Sequence, residues 1–295
     1  MTLGRLFVVS TPIGNMGDFS FRAVEVLRSV SLILAEDTRH SRTLLHRYEI
    51  RTPLASYHEH NEAKTTPSLV KRLVEGEDLA LISDAGTPLL SDPGQRLVNA
   101  AIAVAVQVVP VPGASALLSA VVASGLDVER FTFFGFLPRK GKDRARLLDA
   151  IVSSPYTAVL YEAPGRVADS LLDLANRAAD RSAVVARELT KQFEEVRRGT
   201  LESLGAYYKE APPRGEVVIM VAAAPTPAPD ERVLAVEAQS LRAAGMSVRD
   251  VAVELGKRGV ARNVAYRLAR EADGKGGDET SAGTREAGEG HGRQD

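Results

Sequence analysis

Ile82–Gly94 reads ISDAGTPLLSDPG, and it continues without a break from the apolar run Leu79–Ser83 (LALIS). Apolar residues running straight into Asp84, Gly86, Pro88, Asp92, Pro93 and Gly94 predict a buried strand that ends in a breaker-rich corner before the next helix. In an open α/β sheet such corners lie at the carboxyl ends of strands, where ligands bind. Gly86 permits close approach of a ligand to the backbone, and Asp84 offers acceptor oxygens to ribose or amino groups. An ordinary strand-to-helix turn explains the same composition equally well. The chain has no G-x-G-x-x-G and no P-loop consensus, which argues against nicotinamide-dinucleotide and kinase chemistry.

The same grammar recurs on both sides of this stretch. Leu6–Ser10 (LFVVS) ends in Thr-Pro-Ile-Gly-Asn, Leu32–Ala35 ends at Glu36 and Asp37, and Val106–Pro110 ends in PVPGASA, where Ser115 is placed to cap a helix. Helical spacing covers 21–30, 38–48 and 61–74, the last with Asn61 as its expected N-cap. Continuous apolar strands separated by helices predict a mainly parallel sheet covered on both faces. Three such corners crowding one sheet edge make a site more probable than any one of them does.

A second alternation follows, with strands over 130–135, 157–161, 183–186 and 216–223, a further strand near 193–197, and helices over 142–152 and 165–179. The expected organisation is an α/β domain over 1–113, a second α/β domain with a mixed sheet over 114–224, a stiff PTPAP linker within 225–230, a helical appendage over 231–272, and a disordered tail over 273–295. In the appendage Ser247 is the expected N-cap, and Gly245 and Gly256 are expected to end helices.

Composition narrows the function. With no cysteine among 295 residues, disulfides, thiolate catalysis and Cys-ligated metal sites are excluded. His40, His58 and His60 lack the spacing of a metal site, so none is expected. The N-terminus lacks a secretory pattern and no apolar run approaches a membrane span, so a cytoplasmic protein without a membrane partner is expected. Net charge is −1, but the tail from Asp273 carries −3, leaving +2 elsewhere. Nucleic-acid binding would therefore rest on local basic patches.

STPIGNMGDFS (10–20), LAEDTRHSRTLL (34–45), ISDAGTPLLSDPG (82–94), VPGASA (111–116), FFGFLPRKGKDR (133–144), YEAPGRV (161–167) and ARELTKQFEEVRRG (186–199), in this order, closely resemble the ribosomal RNA branch of the tetrapyrrole methylase family. The resemblance spans about residues 5 to 224 and implies the class III fold of S-adenosylmethionine methyltransferases, with the cofactor in a cleft between two α/β domains. It also implies a homodimer, and 2′-O-methylation of a cytidine ribose in the decoding region of 16S rRNA within the small ribosomal subunit. Carried across motif by motif, the cofactor contacts fall on Ile13, on Asp84, Ala85, Gly86, Thr87 and Pro88, on Ser115 and Ala116, and on Tyr161 and Glu162. Val217 to Met220 would line the adenine side, and the alignment of that strand is loose by a residue or two.

Methyl transfer to an alcohol is an in-line displacement in which the protein supplies positioning and a group that accepts the hydroxyl proton. Candidates are Glu36, Asp37 and Arg39 after the second strand, and Glu188 and Lys191 in RELTK. The neighbouring carboxylates Glu36 and Asp37 would raise one another's pKa if they share a site. The competing expectation is that Glu36, Asp37 and Glu188 each pair with Arg39 or Arg187. On this basis, loss of the Asp37 or Lys191 side chain is expected to lower turnover more than cofactor binding.

RNA phosphates are expected to meet Arg139, Lys140, Lys142, Arg144 and Arg146, then Arg197 and Arg198, then Lys257, Arg258, Arg262, Arg267 and Arg270 on a helix pair resembling a helix-turn-helix. Any one such run is more often a solvated face. Two rivals stand: a methyltransferase of the same fold acting on a tetrapyrrole or other small acceptor, and a non-catalytic RNA-binding protein that holds the nucleoside as a structural ligand.

Overall fold

The computed structural model describes residues 2–225 and 230–272; most of the expected linker and the whole of the expected tail lie outside the described residues. The first sheet has five parallel strands in the order β3-β2-β4-β1-β5. They are β1 Arg5–Val9, β2 Leu32–Ala35, β3 Leu54–Ser56, β4 Leu79–Ile82 and β5 Gln107–Val111. Side chains alternate across a strand, so both faces of this apolar sheet need cover. Leu6, Leu32, Leu34, Leu79 and Leu81 pack against α3 (Glu62–Val74) and α4 (Gln95–Ala103). Phe7, Val9, Ile33, Ala35, Ala80 and Ile82 pack against α1 (Phe21–Ser29) and α2 (Thr38–Arg47). The edge strand β3, three residues long, carries too short a pattern to be seen in the sequence.

The second sheet runs β6-β7-β10-β8-β9, from β6 Phe131–Phe136, β7 Thr157–Glu162, β8 Ser182–Arg187, β9 Glu195–Thr200 and β10 Val217–Val221. Only β6 and β7 pair in parallel, so the sheet is mixed, and its last hairpin strand lies slightly later than 193–197. Ala158, Leu160, Val185 and Ile219 face α6 (Lys142–Ser153), α7 (Val167–Ala178) and α8 (Leu201–Glu210). Val159, Val184, Val218 and Met220 face α5 (Ala116–Ser124). Ser115 caps α5, accepting from Leu118 N at 3.4 Å. The helix packs on the second sheet although it leaves the first at β5, and both sheets belong to one compact unit that ends at Ala224.

The helical unit is separate and has its own core, in which Leu234, Ala238, Val251, Leu255 and Leu268 join α9 (Glu231–Ala243), α10 (Val248–Lys257) and α11 (Arg262–Glu271). Ser247 caps α10, and Gly245, at φ +86°, follows α9. Gly256 instead lies inside α10, and the turn after that helix uses Gly259, at φ +80°. Asn61 occupies the N-cap position of α3 without capping it. Its side chain is committed backwards, accepting from His58 N at 2.9 Å and donating to Ser56 O at 3.0 Å.

Candidate functional site

The carboxyl ends of β1, β4 and β5 are stitched into one edge. Thr11 and Gly86 exchange main-chain bonds of 2.8 and 3.1 Å, the Ser10 and Thr87 hydroxyls lie 3.1 Å apart, and Thr87 Oγ1 donates to Ala114 O at 3.4 Å. Gly86 takes φ +78°, and the corner goes on through Leu89 at +73° and Ser91 at +70°. Non-glycine residues in that region are strained, and such strain gathers at functional corners.

Facing this edge, β10 runs antiparallel between β7 and β8, which sets Val217 beside both Glu162 and Arg187. The cavity between the two edges measures about 450 Å³, within the range of small-ligand sites. Ile13, Glu36, Asp84–Thr87, Leu90–Asp92 and Ala116 line one side; Phe136, Tyr161–Pro164 and Gly215–Val218 line the other. Tyr161 is held by Phe133 and Phe136, with ring centroids 4.9 and 5.6 Å away.

Three carboxylates, Glu36, Asp84 and Asp92, meet here from two strand ends, and no lysine or arginine pairs with any of them among the described residues. Burial, then the proximity of Glu36 and Asp84, pushes the Asp92 carboxyl up to about 7, against an opposing hydrogen bond to Ser83. Burial and then Asp84 also raise Glu36. Asp37 moves the other way, because hydrogen bonds from the Arg39 side chain and main chain hold it well below the usual carboxylate range. Asp37 is the N-cap of α2, and Arg39 reaches solvent with 85% of its side chain exposed. A carboxylate so committed is a poor proton acceptor. Asp37→Ala is therefore expected to lower the melting temperature by a few degrees through the lost cap while changing turnover less than threefold. A thermal melt beside a rate assay checks it, and a large rate loss in a fully folded variant would return Asp37 to the chemistry.

Glu188 pairs with Lys191 at 2.8 Å and not with Arg187, which turns to Glu195 at 2.6 Å. Burial opposes the Lys191 charge, but its bonds to Glu188 and to Glu216 at 3.2 Å outweigh burial and raise its pKa. Lys191 passes over Gly14, where a Cβ would come within 2.4 Å of the lysine Cγ, and borders a side cavity of about 160 Å³ together with Ile13, Asp84 and Glu216. Glu188 and Thr190, at φ +50° and +66°, give this turn its strained shape.

Several residues expected at the cavity stand elsewhere. Met220 is wholly buried under α5, and Val217 and Val218 form the wall instead. Pro88 is buried in its corner, and the Ser115 hydroxyl is engaged as a cap. Glu162 reaches the cavity wall, but its buried carboxylate accepts from Ala163 N at 2.9 Å and Ser170 Oγ at 2.6 Å.

The cationic candidates divide in the same way. Arg139, Lys140 and Lys142 are exposed and without partners among the described residues. Arg144 has only 11% of its side chain exposed and is locked to Asp173 at 2.8 Å. Arg197 pairs with Glu195 and stacks 3.7 Å above Tyr207, and Arg198 donates to Ala123 O and Ser124 O at the end of α5. Lys257 and Arg258 pair with Glu254 and Glu237 at 2.7 and 2.5 Å. Arg144, Arg197 and Arg198 are committed to the fold, a commitment that charge runs do not reveal, whereas Lys257 and Arg258 stay largely exposed beside their single ion pairs. Asp92 and Phe136 were missed, although both sat inside quoted motifs.

Residues 5–205 match the family described as Tetrapyrrole (Corrin/Porphyrin) Methylases. The chain is 43% identical to ribosomal RNA small subunit methyltransferase I of Synechocystis sp., over 93% of this chain and 100% of that one. It is 51% identical to the protein of the same name from Xylella fastidiosa, over 75% and 82%. Among solved structures it shares the fold of diphthine synthase, with a TM-score of 0.58 at 15% identity over 74% of this chain and 90% of that one. It also shares the fold of cobalt precorrin-4 methyltransferase, with 0.53 at 16% over 74% and 94%.

Proposed function

Since the chain belongs to the tetrapyrrole (corrin/porphyrin) methylase family, we propose that it methylates the ribose 2′-hydroxyl of a cytidine in the decoding region of 16S rRNA. The methyl donor is S-adenosylmethionine, the cofactor of this family. The names of its relatives support a small-subunit rRNA substrate.

One observation carries the fit to the donor. Glu36, Asp84 and Asp92 form an acidic wall with which no lysine or arginine pairs among the described residues, opposite the carbon surface of Phe136, Tyr161, Val217 and Val218. That pairing suits a ligand with a positively charged centre and a flat apolar ring system. When bound, the donor supplies an electrophilic methyl group. What remains for the chain is to hold the ribose hydroxyl in line, exclude water and accept a proton. Asp92 is the group we assign to the proton, because its half-buried carboxyl lines the cavity and titrates near neutrality. Lys191, held by Glu188 and Glu216, orders the neighbouring turn.

Arg139, Lys140 and Lys142, which lack partners among the described residues, follow shortly after Phe136 and are assigned to RNA phosphates. A ribosomal substrate implies work in the cytoplasm; among the described residues no helix is long and apolar enough to cross a membrane. The homodimer implied by the resemblance finds an apolar surface on α5, where Leu118 and Val122 are exposed.

The decisive experiment incubates the protein with labelled S-adenosylmethionine and small ribosomal subunits from cells lacking this activity, followed by mass spectrometry of the decoding-region fragment. A single 2′-O-methylcytidine is expected. Methyl on a base, no methyl at all, or transfer only to a corrin or porphyrin precursor would overturn the assignment.

A further inference from the structure

The segment from Leu137 to Gly141 links β6 to α6, and its conformation is imposed from outside. Arg166 Nη2 donates to Leu137 O at 2.6 Å and Pro138 O at 3.3 Å, and Arg144 Nη1 donates to Pro138 O at 3.0 Å. Both guanidinium groups connect to Glu162, Arg166 directly and Arg144 through Ser170, while Arg144 also has its own salt bridge to Asp173 at 2.8 Å. Glu162, with none of its side chain exposed, lies 3.3 Å from Arg166 Nε and accepts from Ser170 Oγ at 2.6 Å. Ser170 Oγ in turn accepts from Arg144 Nη2 at 3.1 Å.

Burying a carboxylate is costly unless its oxygens are satisfied, and breaking such a pair leaves an uncompensated charge. Apart from the bond from Ala163 N to Glu162, the links of the network end on loop carbonyls or on α7. The arginines thereby hold still a loop whose own cations, Arg139 and Lys140, and the adjoining Lys142, are exposed and lack partners among the described residues. Glu162 is also the last residue of β7, next to Tyr161, and Phe136 packs on that tyrosine just before the loop begins. The network therefore sits where the cavity wall meets the cationic loop. Arg139, Arg144 and Arg166 line an open groove there together with Asp169, Leu172 and Asp173, and Arg166 follows the Ala163–Pro164 turn that forms part of the cavity wall.

We infer that Glu162, Arg166 and Arg144 are positioning residues that fix the Leu137–Gly141 loop so that Arg139, Lys140 and Lys142 grip RNA backbone phosphates beside the cavity. This rests on the RNA substrate proposed above. Fixing three cations in advance removes an ordering cost from binding, so the network acts on RNA engagement and not on the chemical step. Loss of a phosphate contact lowers the salt slope of binding by about one.

The test uses the full chain, the 16S decoding-region fragment labelled with a fluorophore, and S-adenosylmethionine. Arg166→Met is expected to weaken RNA binding about tenfold and to flatten its dependence on log salt, with kcat at saturating RNA and the Kd for S-adenosylmethionine within about twofold of the parent. Glu162→Gln keeps the shape and loses the charge, and its RNA affinity and salt slope should fall between those of the parent and Arg166→Met. The triple variant Arg139→Ala, Lys140→Ala, Lys142→Ala should match or exceed Arg166→Met. Adding Arg166→Met to the triple should then change RNA affinity little, because its effect passes through those cations. An unchanged salt slope in Arg166→Met, a loss in kcat alone, or a full additive loss in the quadruple variant would overturn the inference. RNA binding is read without methylation. A parent that binds the fragment but transfers no methyl group to small ribosomal subunits defeats the proposed reaction and leaves this inference standing on its own results.

Discussion

Asp92→Asn is expected to lower kcat by about 100-fold or more while leaving the Kd for S-adenosylmethionine within a few-fold, which is the signature of a lost proton acceptor. Asparagine keeps the volume but cannot take a proton near neutrality. In the parent, kcat/KM should rise with pH through about 7, where Asp92 ionises in the free protein. The rise in kcat should fall at lower pH because the bound donor favours the ionised carboxyl, and the variant's residual rate should be flat across that range. Stability should move the opposite way. A carboxyl raised above its unfolded value binds a proton in the folded state that the unfolded chain has already released, so the parent loses stability as pH climbs from the normal carboxylate range through about 7. The variant lacks that penalty and should gain in melting temperature relative to the parent at alkaline pH. A cation entering the cavity favours the ionised carboxyl. Donor binding just below pH 7 should therefore expel a proton, visible as a buffer-dependent heat in calorimetry, and the variant should show none. A variant with normal kcat but much weaker donor binding would make Asp92 a binding carboxylate and remove it from the proton path.

The contrast between Asp92 and Asp37 shows what a sequence conveys and where it stops. The strands were legible because each is a short apolar run, and the alternation that sends Leu79 to one face and Ala80 to the other is a local property. The corners were legible because glycine and proline punctuate them. The resemblance carried the family, and two of the residues it named, Gly86 and Tyr161, line the cavity. The distant partners of a charged side chain were not legible. Arg144 and Arg198 look like members of basic runs, yet Asp173 and the carbonyls ending α5 reach them from distant positions. The Asp37–Arg39 pair, two residues apart, was within reach of the sequence as the competing expectation, but the carboxylates that raise Asp92 arrive from β2 and β4. Met220 illustrates register: in a strand of continuous apolar residues nothing local distinguishes the cavity end from the buried end, and only the pairing of Val217 with Glu162 fixes it.

Gly86→Val should abolish useful donor binding, raising the Kd for S-adenosylmethionine by about 100-fold, equivalent to about 2.7 kcal/mol. Two effects combine at this position. At φ +78° a side chain lies in the left-handed region, which costs a non-glycine residue about 1–2 kcal/mol and is worse for a β-branched one. A Cβ would also stand 3.3 Å from Ile13 Cγ2, and valine's two methyl groups would push further toward a residue that lines the same cavity. Relief by backbone rotation is blocked, because Gly86 is tied through both its N–H and its carbonyl to Thr11. The displacement would thus pass into the corner after β1 and narrow the cavity from two sides. Gly86→Ala separates the causes: it suffers the backbone strain with a smaller clash, and should show an intermediate loss. Both variants should be compared with the parent by thermal melt without donor and by calorimetry with it. If Gly86→Val melts like the parent and binds S-adenosylmethionine equally well, the corner joining β1 and β4 does not form the donor site.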